Sequence, residues 1–199
     1  MFLKHNKINN KIANISWRIF NKFENNGNAD FHANGEIFFI KNLFKYYSKS
    51  EPTKIIIFDI GANLGDYSET LIDNKVKNNV IVDIHLFEPT AKCFEELTSK
   101  FSFNKNIVLN NFGLSNSSDS CTIFYDQEKS GLASLYKRNL EHYDINFELS
   151  ETVEIKRADR YIKENNIKKM DLVKINIERH KLKAFEGFGK YLRDEFVDV

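Results

Sequence analysis

Three short stretches carry residues whose types and spacing could do chemistry. The first is "DIGANLG" at 59–65, directly after the apolar run "KIIIF". Gly61 and Gly65 leave the backbone bare, so a ligand can approach it closely. A helix opening near Gly65 or Asp66 presents N–H groups that attract a carboxylate or a phosphate. Asp59 stands at the strand end, where it can accept from an ammonium group or an ordered water. The second stretch, "LFEP", puts Glu88 and Pro89 just past a second strand. An acid there accepts hydrogen bonds from ribose hydroxyls, and Phe87 and Pro89 can pack on an adenine. The third is "DLVKINIERH", in which Lys174 and Asn176 alternate with Val173, Ile175 and Ile177. The alternation puts the polar groups on one side of a strand. Glu178 can take a proton there, whereas Asn176 can only orient a partner by hydrogen bonds. His180 is a second candidate base, set against a capping or surface role. Arg179 is a candidate anchor for an anionic acceptor, set against a plain solvated charge.

Glycine spacing narrows the ligand. A dinucleotide turn needs G-x-G-x-x-G, with a middle glycine to admit the pyrophosphate. Here the pattern is G-x-x-x-G, with Asn63 where the bare backbone is wanted. That argues against a nicotinamide-dependent dehydrogenase and for a smaller ligand carrying an amine and a carboxylate. Joined to the ribose and adenine expected at Glu88 and Pro89, those groups describe S-adenosylmethionine. The cofactor-binding set is therefore Asp59, Gly61, Asn63, Gly65, Glu88 and Pro89, and the catalytic set Glu178 and Asn176. Methyl transfer to oxygen is an in-line displacement that needs a positioned acceptor and a place for its proton. No His, Cys, Asp or Glu cluster has metal-ligand spacing, so no metal is expected.

Those residues must be held by strands and helices in alternation. "KIIIFDI", "NVIVDIHLFEP" and "NIVLNNFGL" read as buried strands by their β-branched runs. "GDYSETLIDNKV" reads as a helix with Tyr67, Leu71 and Val76 near one face, and "TAKCFEELTSKF" as one with Phe94, Leu97 and Phe101 inward. "DSCTIFYD" and "ETVEIKRA" alternate like half-exposed antiparallel strands. Between them lies a long polar loop, 127–150, of the kind that serves as a functional lid. "ADRYIKENNI" is a short helix and "KMDLVKINIE" a further strand. In "HKLKAFEGFGKYL", Leu182, Phe185 and Phe188 face inward, with Gly187 and Gly189 marking the end. The closing "FVDV" looks like the opening of another strand. The expectation is an α/β fold: a Rossmann-like, doubly wound, mostly parallel sheet of order 3-2-1-4-5, with ligands at the carboxyl ends of its strands. Ahead of it, residues 1–50 form a helical extension. It holds an amphipathic helix at 8–24 carrying Ile8, Ile12, Ile15, Phe20 and Phe23, and a second helix capped by Asn34 with Ile37, Ile40, Phe44 and Tyr47 along one stripe. Residues 51–199 form the main domain.

Composition excludes other classes. The chain has 199 residues, enough for one domain with a sizeable core. Its 29 Lys and Arg balance 28 Asp and Glu, so no whole-protein field draws in nucleic acid. No stretch approaches the ~18 apolar residues of a membrane span. Cys93 and Cys121 have no paired spacing and read as reduced packing residues, which fits a cytoplasmic protein.

The blocks "FDIGANLGDYSETL", "LFEPTAKCFEEL", "SGLASLYKR" and "DLVKINIERHKLKAFEGF" occur in the order found in FkbM-type methyltransferases, and "NGEIFF" is similar to the family's entry helix. The resemblance covers residues 34 to 199. It implies a Rossmann-like S-adenosylmethionine fold and O-methylation of a hydroxyl on a sugar, glycan or small molecule. It places Asp59, Gly61, Asn63 and Gly65 on the first cofactor motif, Glu88 on the ribose-binding acid and Ser134 near the acceptor. In the family's Lys-Ile-Asp-x-Glu-Gly block, Asn176 stands for the Asp and Arg179 for the Gly, while Lys181 replaces an acid two residues on. Glu178 matches. The family continues past "FVDV" with further strands, so a C-terminally truncated domain is expected. These departures leave a second expectation beside the enzyme: a catalytically impaired cofactor-binding relic, or a pseudoenzyme interaction module.

Overall fold

The run Ile55–Ile60 forms β1, and each of its residues except Ile56 is buried. The computed structural model describes residues 7–24, 31, 34–49, 54–78, 80–137, 145–192 and 196–197. The opening residues 1–6, the loop residues 25–30 and 32–33, and residues 138–144 of the long loop lie outside them. The chain divides into two compact units, Met1–Tyr46 and Tyr47–Val199.

The first unit is helical. It contains α1 (Lys7–Glu24) and all but the last residue of α2 (Glu36–Tyr47). Asn34 caps α2 as its residue type predicts: its Oδ1 accepts the Glu36 N–H at 3.0 Å and its Nδ2 donates to Glu36 Oε1 at 2.6 Å. Ile40, Leu43 and Phe44 are the buried residues of α2.

The second unit alternates strand and helix. After β1 come α3 (Asp66–Asn78), β2 (Val82–Phe87), α4 (Ala91–Phe101), β3 (Ile107–Asn110), β4 (Gly113–Ser115) and β5 (Asp119–Tyr125). Then follow β6 (Leu149–Arg157), α5 (Ala158–Glu164), β7 (Leu172–Ile175) and α6 (Lys181–Phe188), which ends in a 3-10 turn. The main sheet is four-stranded and parallel, in the order β3-β2-β1-β7. That is the expected winding through its fourth strand. Val197 makes a single parallel bridge to Met170, where a fifth strand would lie.

A second, three-stranded sheet has the order β4-β6-β5, with β5 and β6 antiparallel as their alternation predicts. "NIVLNNFGL" reads as a single strand, but it breaks at residues 111–112, and β4 joins β6 in the second sheet. The amide of Asn110 turns back to the Leu86 and Val108 carbonyls, and Phe112 drops into the core.

One face of the main sheet packs aromatics. Phe58, Phe87, Phe112, Tyr161 and Phe188 share a cluster with Ile60, Ile162 and Met170. Phe87 and Tyr161 meet edge-on with centroids 4.9 Å apart, the geometry ring quadrupoles favour. His85 lies beside them, its Nδ1 2.7 Å from the Tyr161 hydroxyl. Burial lowers the imidazole pKa from 6.5 to about 4 and raises the Tyr161 phenol to about 12, so both groups are neutral near pH 7. On the opposite face, period 2 turns Ile57 and Asp59 toward α3.

Two helices expose residues that periodicity places inward. Val76 of α3 is exposed, and Asn74 is buried on the inner side instead. In α6, Leu182 and Phe185 are exposed, while Ala184, Gly187 and Phe188 are buried. Close approach is the cause. A Cβ on Gly187 would sit 2.0 Å from the Ser115 carbonyl oxygen, so α6 rests its small residues directly on β4. Gly187 is therefore a helix-interior contact residue, and Gly189 at φ 55 alone forms the C-cap. In α4 the inward set is Cys93, Leu97 and Phe101, with Phe94 half-buried.

Candidate active site

The carboxyl ends of β1, β2 and β7 converge on one crevice. Strand β1 delivers Asp59, fully buried and in register with Lys174 of β7. The Lys174 ammonium lies 2.8 Å from Asp59 Oδ1 and donates to the Gly61 carbonyl at 2.9 Å. Ser68 donates to Asp59 Oδ2 at 2.7 Å. Both carboxylate oxygens thus have donors from within the chain, and the ammonium group near Asp59 is the protein's own. Lys174 falls on the opening Lys of the Lys-Ile-Asp-x-Glu-Gly block aligned at 174–179, but no role was read for it there. The signal is its setting: a lysine between Val173 and Ile175 in a buried strand calls for an acid partner.

The turn after β1 is closed on itself. The N–H groups of Gly61 and Ala62 donate to the Phe87 carbonyl at 3.0 and 3.2 Å, and that of Gly65 donates to the Ala62 carbonyl at 2.9 Å. Those of Asn63 and Leu64 reach Glu88 Oε2 and Asn63 Oδ1 at 2.9 and 2.8 Å. Asn63 holds φ 49, a left-handed conformation that asparagine tolerates better than most residues.

The two glycines have reasons inside the chain. Gly61 has φ 76, and a Cβ there would lie 2.2 Å from the Asn176 carbonyl oxygen. Gly65 has φ 88, and a Cβ would lie 2.6 Å from the Phe101 ring. The bare backbone expected to admit a ligand instead admits the segment after β7 at Gly61, and α4 at Gly65.

Glu88 is buried at the end of β2. It accepts from the Asn63 N–H, from the Thr90 N–H at 3.0 Å and from the Thr90 hydroxyl at 2.6 Å. Burial raises its pKa, and the Thr90 and Asn63 hydrogen bonds oppose that rise. Pro89 is half-buried against Gly113, where an added Cβ would lie 3.7 Å from its ring. Phe87 is fully buried in the aromatic cluster, so it is not placed to pack on an adenine.

On the β7 side, Asn176 is exposed and Glu178 half-buried. The Asn176 N–H donates to the Ile60 carbonyl at 2.9 Å, so its backbone continues the sheet past β7. Arg179 is exposed, with φ 57. His180 is buried at the N-cap of α6, not at the surface. Its Nε2 is 2.9 Å from the Ser115 hydroxyl, and burial lowers its pKa.

The segment 126–137 ties these pieces together. Asn63 donates to the Ser130 carbonyl at 3.1 Å. Ser134 exchanges backbone hydrogen bonds with Phe124 at 2.8 and 2.9 Å, and its hydroxyl donates to the Glu178 carbonyl at 3.3 Å. Lys129 pairs with Glu96 of α4 at 2.6 Å. A shallow, solvent-open depression lies beneath, lined by Thr90, Lys92, Tyr125, Ser130 and Glu151 among others. Cys93 stays a neutral thiol, its pKa raised by burial to about 11. Among the described residues, no group of three His, Cys, Asp or Glu is placed to hold a metal, and no helix is long and apolar enough to cross a membrane.

The methyltransferase FkbM domain matches residues 59–197. No curated protein matches the chain.

Proposed function

The chain belongs to the FkbM methyltransferase domain family, and from that premise we propose that it moves a methyl group from S-adenosylmethionine to a hydroxyl of a sugar, glycan or other small molecule. The observation that carries the cofactor reading is Glu88. A carboxylate has about four acceptor directions, and three are filled by Asn63 and Thr90. The remaining one suits a ribose hydroxyl at the end of β2, and the residues present fit the cofactor there.

Asp59 acts indirectly. With Lys174 and Ser68 it fixes the floor of the crevice and the orientation of the Gly61 carbonyl. Because the N–H groups of residues 61–65 are spent, a cofactor carboxylate would be met by the first turn of α3. Asn63 holds the 126–137 strap over the site. Pro89 would border the adenine. The sulfonium of the bound cofactor supplies an electrophilic methyl carbon. Glu178 is assigned to orient the acceptor hydroxyl and take its proton, with Asn176 as a hydrogen-bonding guide. The strap excludes water from the crevice, and Ser134 fixes it to the Glu178 backbone.

Calorimetric titration with S-adenosylhomocysteine tests this reading, with NAD as the comparison. Binding of S-adenosylhomocysteine, weakened roughly tenfold or more by Glu88→Ala as a charged hydrogen bond is lost, supports it. Binding of NAD alone overturns it. Transfer of labelled methyl to glycan or small-molecule hydroxyls, abolished in Glu178→Gln, tests the acceptor half.

One observation favours a second reading, a catalytically impaired relic. Arg179 keeps the left-handed backbone of a glycine position, and Asn176 lacks the acid that the family carries. If Asn176→Asp with Arg179→Gly raises turnover from near zero, the relic reading stands. If the unaltered chain is already active and the pair changes nothing, it falls.

A further inference from the structure

Helix α1 presents an apolar face that nothing in the methyl-transfer reading uses. Ile8, Ile12, Ile15, Ile19 and Phe23 recur at helical spacing and fall within an arc of about 80° at 100° per residue. All of them are exposed, Ile8 at 71% and Phe23 at 86%. Trp17 and Phe20 are exposed too and stack with centroids 5.8 Å apart; at 100° per residue Phe20 lies beyond one edge of the stripe and Trp17 on the opposite side of the helix. Lys11, Arg18 and Lys22 form a row along the other edge of the stripe by the same spacing. The sequence has no acid before Glu24, although the whole chain is close to neutral.

We propose that α1 is an interfacial helix that docks on an anionic lipid surface, with its isoleucine face in the acyl boundary and the Lys11–Arg18–Lys22 row on the headgroups. Charge complementarity selects this occupant. A second copy of the helix would bring two basic rows together with no acid before Glu24 to pair them. Its four-three-four-four spacing also spans only about two heptads, short of a coiled-coil seam. An anionic lipid interface meets both features of the helix at once: its acyl boundary takes the isoleucine face and its headgroups meet the bordering basic row, whose long side chains can reach up to them. The helix lies on the bilayer and does not cross it.

Flotation of the whole chain with lipid vesicles tests the proposal. One set is pure phosphatidylcholine and the other contains about one third phosphatidylserine. The three basic side chains predict partitioning roughly 100-fold stronger onto the anionic vesicles, falling as salt rises. Ile12→Gln with Ile19→Gln removes binding, and Lys11→Glu with Lys22→Glu removes the preference for anionic lipid. No flotation, or equal flotation with both vesicle types, overturns the proposal. So does a dimer in light scattering that Ile12→Gln with Ile19→Gln dissolves while vesicles stay unbound. A marked fall in melting temperature in that variant, again without vesicle binding, overturns it in favour of packing within the chain.

Discussion

Replacing Lys174 with methionine removes the ammonium that Asp59 binds inside the β1–β7 seam. The carboxylate is fully buried and keeps one partner, the Ser68 hydroxyl. Leaving a buried charge unpaired costs about 3–5 kcal/mol, a large part of the 5–15 kcal/mol that holds a domain together. The reverse change, Asp59→Asn, keeps a polar group at the Ser68 contact. It strands a lysine that still has the Gly61 carbonyl and a side chain 15% exposed. Its cost is about 2 kcal/mol, that of a lost hydrogen bond to a charged group. In the double variant neither charge remains, so its cost falls short of the sum of the singles by about 2 kcal/mol. Urea unfolding followed by circular dichroism reads each value, and Lys174→Met moves the midpoint down by about 2 M at an m-value near 2 kcal/mol/M. Additivity within about 0.5 kcal/mol would refute the pairing. So would a Lys174→Met chain as stable as the parent.

Three further outcomes are expected. The folded-state pKa of His85 is depressed to about 4 from 6.5, so its contribution to stability is complete above pH 6.5. It is lost as pH falls toward 4, by up to about 3 kcal/mol; urea midpoints between pH 7 and 4 should fall less steeply in His85→Gln. Gly61→Ala, which must fit a Cβ 2.2 Å from a backbone oxygen at φ 76, should lower stability by about 3 kcal/mol or more, visible as lost cooperative melting. Arg179→Gly relieves a left-handed residue at φ 57 and should gain up to about 1 kcal/mol, less the entropy glycine adds to the unfolded chain, read as a melting temperature higher by a few degrees.

The winding of the sheet was legible because each crossover announces itself. A β-branched run, a turn and a helix recur twice by residue 101, the first turn carrying Gly61 and Gly65 and the second Glu88 and Pro89, and parallel strands joined this way have one favoured hand. Asp59, Glu88 and the turn between them were legible for the same reason, since strand ends are set by the run that precedes them. Helix phase was harder to read. At α6 the sheet is approached through Ala184 and Gly187, and counting large apolar residues selects Leu182 and Phe185 instead. Likewise "NIVLNNFGL" is apolar enough for one strand, and only the side-chain turn at Asn110 divides it between two sheets. The acidic motif residue was visible in the sequence, but its partner 115 residues away was not. Pairing across parallel strands depends on register, which local pattern does not encode.

The contact between Gly61 and Asn176 separates two demands on one residue. Gly61 is confined by the carbonyl oxygen of residue 176, and every amino acid carries that oxygen alike. The side chain at 176 points to solvent and bears no part of that fit. Selection for folding therefore sees the backbone at 176 and is blind to what hangs from it. Exchanging asparagine and aspartate at 176 is expected to leave stability unchanged, whereas any side chain at Gly61 meets the carbonyl oxygen of 176. The side chain at 176 is therefore free to answer to the chemistry of the crevice without disturbing the fold that the backbone at 176 helps to fix.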